Sequence, residues 1–149
     1  MNRIMKIQRI FPTANLDTVK DARGGIFTFI PKDPIVEFNY NFIKEGKIRG
    51  NHYHPEFDEY FLLTEGEGVL VTREEKSSEQ EFIYLSKGHC AYTPKGTMHV
   101  FLAITDCIAV AMLTKKWDDC KDPIIHVNVG MGEGENMPIS KAEKSQHGF

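Results

Sequence analysis

The chain has 149 residues, 41% hydrophobic and 26% charged, with a net charge of −3. That length suits one domain able to bury a core unaided, and the near-neutral balance gives no reason to expect nucleic acid or an anionic membrane as a partner. No apolar run approaches the ~18 residues of a membrane-crossing helix. The charged start around Arg3 and Lys6 lacks a secretory core, and Cys90, Cys107 and Cys120, odd in number and without Cys-x-x-Cys spacing, read as reduced thiols of a cytoplasmic protein.

In chain order, residues 15–20 read as one helical turn. Short apolar runs separated by turn signals then follow at 26–31, 35–43, 48–54, 59–64, 68–73, 81–86, 90–93, 98–104 and 107–114. Strands this short and this regularly spaced predict an all-β sandwich or barrel. Residues 74–80, charged and serine-rich, read as a hairpin tip. Residues 1–128 are expected to form the single domain and 129–149 a draped tail. Its glycines at 130, 132 and 134 lack the strand–helix setting of a phosphate loop.

Two strands raise a question of facing. Glu37, Asn39 and Asn41 alternate with Phe38, Tyr40 and Phe42, so one set is buried and the other is not. An ordinary barrel turns the aromatics inward; a barrel holding a polar ligand turns the asparagines inward and packs the aromatics on a partner. Residues 59–63 are apolar on both faces apart from Glu59. A strand apolar on both faces is covered on both, which predicts a homodimer.

His52, His54, Glu59 and His99 carry the chemistry. They sit among Gly46, Gly66, Gly88, Pro94 and Gly96. Residues two apart on a strand share a side at about 6–7 Å, so His52 and His54 reach one ion. Pro55 to Asp58 allow a turn that returns Glu59 beside them, and Thr93 to Gly96 suit a type I turn leading to His99. Three imidazoles and a carboxylate predict one divalent transition metal (Fe, Mn, Ni, Co or Zn), whose softness and geometry preferences overlap for these donors. Neutral imidazoles are required, so activity is expected to fall below about pH 6. Arg49 beside this set needs an anion, either a ligand or Glu37 or Glu56. Glu56 and Asp58 read as solvated loop carboxylates, Trp117 as a core plug, and His126 as the end of a strand.

These two glycine-framed blocks resemble the paired motifs of the cupin family over residues 23 to 118. The resemblance implies a small antiparallel jelly-roll barrel with a metal or ligand in its mouth. The second block departs at Ala103, where an asparagine is usual, a change expected to remove a polar group near the ligands. The segment around Asp21, Arg23 and Gly24, and Lys47 to Tyr53 with Arg49, Gly50 and His52, resemble the nucleotide-sugar epimerases and ketoisomerases. The run from Thr105 to Asp118 resembles the cupin domain of capsule-sugar epimerase/reductases. By that resemblance Arg49 binds substrate, Asn39 and Asn41 line the cavity, and His52 sits at the reacting carbon. His54 departs from the metal-free epimerases, and residues 108–113 lack their acid tyrosine, so no catalytic acid or base is assigned. The expectation is a metal-binding isomerase or epimerase of a keto sugar, nucleotide-linked or phosphorylated, in surface-polysaccharide biosynthesis. A non-haem iron dioxygenase and a non-catalytic sugar-binding module are the alternatives.

Overall fold

The computed structural model describes residues 7–13 and 20–130. Two five-stranded antiparallel sheets face each other. The first runs β1 (Gln8–Ile10), β9 (Cys90–Thr93), β6 (Glu59–Glu65), β11 (Cys107–Leu113), β4 (Glu37–Ile43). The second runs β12 (Ile125–His126), β5 (Ile48–Tyr53), β10 (His99–Ala103), β7 (Glu67–Arg73), β8 (Gln80–Ser86). β2 (Lys20–Asp21) and β3 (Gly24–Gly25) form a small exposed hairpin. The expected jelly-roll sandwich is present.

Alternation explains the layering, because directly paired residues share a face. Between the sheets lie Phe61, Leu63, Ala109 and Ala111 from one and Leu70, Leu85, Phe101 and Ala103 from the other. The Phe61 and Phe101 rings meet across the gap at 5.0 Å. Outside the second sheet, Val71, Val100 and Ile48 are covered by Val127 and Val129. Outside the first, Tyr60, Cys90 and Tyr92 are covered by Ile10, Phe29 and Ile35.

Several expectations change. Residues 26–31 form no strand, with Phe29 packed on the first sheet's outer face and Ile26, Phe27 and Ile30 exposed. Tyr60 and Leu62 do face outward, and the chain's own Phe29 and Ile35 pack with them there. The turn before His99 is one residue later than expected: Thr97 N–H bonds to Pro94 O, putting Gly96 at the third position with φ +82°, as a type II turn requires. Val129, assigned to the tail, is fully buried and its N–H bonds to Asn51 Oδ1. The helical turn at 15–20 falls mostly outside the described residues, as does 131–149. No helix among the described residues is long and apolar enough to cross a membrane.

Candidate functional site

The strand β5 would turn His52 away from the core if it alternated regularly. Arg49 pairs with Phe101, a core residue, and Gly50 with Val100, which faces outward. The next inward position would be Asn51. Instead the register shifts: Gly50 pairs with Val100 but His52 pairs with the adjacent His99, leaving Asn51 as an extra residue. Such a bulge re-aims every side chain that follows. Positive φ at Gly50 (123°) and Asn51 (58°) makes it. Gly50 has no room for a side chain: a Cβ would lie 2.7 Å from His99 O and Val100 Cα. His52 and His54 therefore point inward and Tyr53 outward.

The histidines converge. Ring centroids are 4.6 Å apart for His52 and His54, 4.8 Å for His52 and His99, and 5.5 Å for His54 and His99. One ligand atom from each lies within 4.8 Å of the others. Glu59, at the start of β6, reaches across from the opposite sheet. Its Oε2 lies 3.5 Å from His54 Nε2 and its Oε1 4.0 Å from His99 Nε2. Donors about 2.1 Å from one ion at tetrahedral angles stand about 3.4 Å apart, so the spacing is within a small adjustment of a coordination shell.

The ring orientations also suit a metal. His54 Nδ1 donates to Pro123 O and His99 Nδ1 to Thr97 O, both at 2.9 Å. Each bond fixes the tautomer and leaves the Nε2 lone pair free, as metal-ligating histidines require. His54 Nε2 is buried without a hydrogen-bond partner, a group that ordinarily needs an explanation. Burial holds His52 down to about 2, helped by His99, His54 and His126, with the Gly50 backbone opposing. Burial likewise lowers His99 to about 4 and lowers His54, and it raises Glu59 to about 7. The contacts with Glu59 are thus those of neutral imidazoles and not ion pairs. His52 and His99 stay neutral well below the pH 6 expected of ordinary histidines. The donor set fits a first-row transition metal.

Farther along the strands from the histidines, the open edges of the two sheets carry polar residues, of which Arg49 and Asn39 are exposed and Asn41 is partly buried. Asn39 pairs with Ala111 and Asn41 with Ala109, both core alanines, so the asparagines face inward and leave space over small neighbours. Phe38 and Tyr40 point out, at 74% and 56% exposure. Arg49 shares the inward side with Phe101. Neither expected carboxylate takes it: Glu56 accepts from Lys115 Nζ (2.9 Å) and Asp122 N (2.6 Å), and Glu37 accepts from Trp117 N (3.1 Å). Arg49 meets no carboxylate among the described residues.

Other residues depart from their expected roles. Glu56 and Asp58 are not free loop carboxylates, since both hold backbone N–H groups. Trp117 is not a core plug: it is half-exposed, with its ring 6.1 Å from His54. Ala103 stands four residues along β10 from His99, roughly 13 Å away, packed in the core, so its missing amide does not touch the ligands. His126 pairs directly with His52, ring centroids 6.4 Å apart, adding a fourth, exposed imidazole at the rim. Asn51 and the carbonyl of Pro123 went unnoticed in the sequence. The positive φ of the first and the fold-back that brings the second are not written in residue type or spacing.

A two-sheet jelly roll with an inward His/His/Glu/His cluster defines a cupin. The family model described as polysaccharide biosynthesis C-terminal domain matches residues 19–120, and the chain belongs to that family. Among solved structures it is similar to a 3,4-ketoisomerase from Helicobacter canadensis (15% identity, 82% of this chain and 91% of that one, TM-score 0.69). It is also similar to the dTDP-6-deoxy-D-glucose-3,5-epimerase RmlC from Legionella pneumophila in complex with dTDP-4-keto-L-rhamnose (18% identity, 77% and 70%, TM-score 0.61). A third is the capsular polysaccharide assembling protein CapF from Staphylococcus aureus (24% identity, 81% and 34%, TM-score 0.58), of whose length the chain spans about a third. These likenesses establish the fold. No curated protein sequence is significantly similar to it.

Proposed function

We propose that the chain is a metal-dependent isomerase or epimerase of a keto sugar, nucleotide-linked or phosphorylated, in surface-polysaccharide biosynthesis. The observation that carries the reading is Arg49. It is an exposed cation on the inward-facing side of β5 with no carboxylate partner among the described residues, which calls for an anionic ligand. Asn39 and Asn41 on the inward-facing side of β4 suit hydroxyl groups. The family match and the dTDP-sugar complex of the Legionella relative support that class of substrate.

In this reading Arg49 holds a phosphate through two parallel N–H···O bonds. Asn39 and Asn41 hydrogen-bond sugar hydroxyls. His52, His54, His99 and Glu59 hold the metal, which when bound supplies Lewis-acid polarisation of a carbonyl. Phe61 and Phe101 floor the site and exclude water beneath the sugar. The apolar outer face of β4 and β11 is the proposed contact with a second copy. Phe38, Tyr40 and Val110 lie there, and β4 is an edge strand of its sheet.

The test is exchange of a dTDP-linked 4-keto-6-deoxy sugar in deuterium oxide, followed by proton NMR. Deuterium entering the carbon beside the keto group, and not entering with His99→Ala, supports proton transfer at this site. Binding without exchange would make the protein a sugar-binding module. Oxygen consumption by the iron-loaded protein would make it a dioxygenase.

A further inference from the structure

We propose that Asn51 is a positioning residue of the histidine cluster, locking the bulge that turns His52 and His54 inward. The inference rests on the metal reading of that cluster. Asn51 is buried and has φ +58°, a left-handed conformation that few side chains other than asparagine tolerate. Its two carbonyl oxygens are both taken by one segment. The backbone oxygen accepts Val127 N–H at 2.9 Å, and the side-chain Oδ1 accepts Val129 N–H at 3.0 Å.

That segment, residues 122–130, is a strap fastened at several points. Pro123 O holds His54 Nδ1. Asp122 N–H donates to Glu56. Farther on, Arg73 Nη2 donates to Asn128 O at 2.7 Å and Gln80 Nε2 to Val129 O at 2.8 Å, and Val129 is sealed under the second sheet. One strap thus holds His54 directly and His52 through Asn51. Without it, β5 is an edge strand at the bulge and Asn51 loses both of these bonds. The shift of register that faces two ligands inward would lose its lock.

Asn51 acts through the ligands' backbone and touches no metal. The distinguishing property is therefore metal affinity that falls out of proportion to stability. The full chain would be titrated with zinc against a chromophoric chelator, alongside Asn51→Gly, Asn51→Asp and Leu85→Ala. Glycine keeps the left-handed backbone and loses Oδ1; aspartate keeps the acceptor; Leu85→Ala opens a hole in the core away from the cluster. Asn51→Gly is expected to weaken zinc binding by about 10–100-fold, the usual effect of losing a group that orients ligands. Asn51→Asp is expected to bind nearly as the unaltered chain does, and Leu85→Ala to melt lower with zinc affinity unchanged. Equal affinity in Asn51→Gly and the unaltered chain overturns the proposal, and so does an equal loss in Leu85→Ala. Should Asn51→Gly not fold, amide hydrogen exchange on the unaltered chain decides. Zinc is expected to slow exchange at Val127 and Val129, and unchanged rates there overturn the proposal. No zinc uptake by the unaltered chain defeats the metal reading itself and this inference with it.

Discussion

Asp58 Oδ1 accepts the backbone N–H of Lys95 at 2.8 Å, tying the loop after His54 to the turn before His99. Gly96 N–H on His54 O, also 2.8 Å, is a second tie between the same segments. Asp58 is anchored in turn through Thr114, whose Oγ1 accepts its backbone N–H. The two glycine-framed blocks are thus fastened to each other by protein bonds alone. The ligands are held near their places by the fold, so binding an ion need not order them.

Replacing Asp58 with alanine leaves the exposed Lys95 N–H to water. Loss of such a hydrogen bond typically lowers stability by about 0.5–1.5 kcal/mol. Urea unfolding of Asp58→Ala is expected to show a loss of that order, with weaker zinc binding as the His99 turn drifts. Unchanged stability would mean that the two blocks are held by other contacts.

The shifted groups give a pH dependence whose sign follows from proton counting. His52, His99 and His54 lie below the ordinary 6.5 when folded. The unfolded chain therefore binds more protons at these positions as pH falls through 6.5, and the folded state loses stability. Glu59, raised from 4.5 to about 7, works the other way: its contribution is present below 4.5 and lost as pH rises through about 7. Three histidines outweigh one carboxyl. The metal-free protein is expected to lose stability from about pH 6.5 down toward pH 4.5, as read by urea midpoints. Glu59→Gln removes the opposing contribution and should steepen the slope. A flat profile in both would contradict the buried, neutral assignment.

How much of this was legible in the sequence differs by level. The meeting of His52, His54, Glu59 and His99 was, because they are rare residues in a fixed frame of glycine and proline. Most strands were, because β6 and β10 to β11 alternate or run apolar between clear turn signals. Residues 26–31 have strand composition but pair with no strand among the described residues, and Phe29 serves as a cover over Tyr60. The inward facing of Asn39 and Asn41 was undecidable from alternation alone, which is symmetric between faces. Paired alanines at 109 and 111 settle it. The bulge at Gly50 and Asn51 is a matter of backbone angle, and the contacts of Pro123, Val127 and Val129 join residues about 70 to 80 positions from their partners.

Arg49 is exposed and meets no carboxylate among the described residues, so Arg49→Ala is expected to melt as the unaltered chain does. Its effect should fall on ligand binding. A charge-assisted bond to phosphate is worth about 1.5–3 kcal/mol, which corresponds to roughly a 10- to 100-fold weaker Kd for dTDP by calorimetry. Lysine at this position restores the charge but not the two-bond geometry, and should recover the affinity only in part. Unchanged dTDP binding in Arg49→Ala would remove Arg49 from the site.

The exposed pair Phe38 and Tyr40 predicts self-association through β4. Sedimentation velocity should show a dimer for the unaltered chain and a monomer for Phe38→Asp/Tyr40→Asp, with the fold retained because both side chains already face solvent in the single chain. A dimer that survives both substitutions would place the contact on another face.

Metal content tests the central claim most directly. Protein purified without chelator or added metal would be analysed by inductively coupled plasma mass spectrometry, alongside His54→Ala/His99→Ala. The account predicts close to one equivalent of first-row transition metal in the unaltered chain, as a single four-donor site requires, and almost none in the double variant. Metal below about a tenth of an equivalent that does not rise on incubation with zinc, iron or cobalt would contradict it, as would equal content in both proteins.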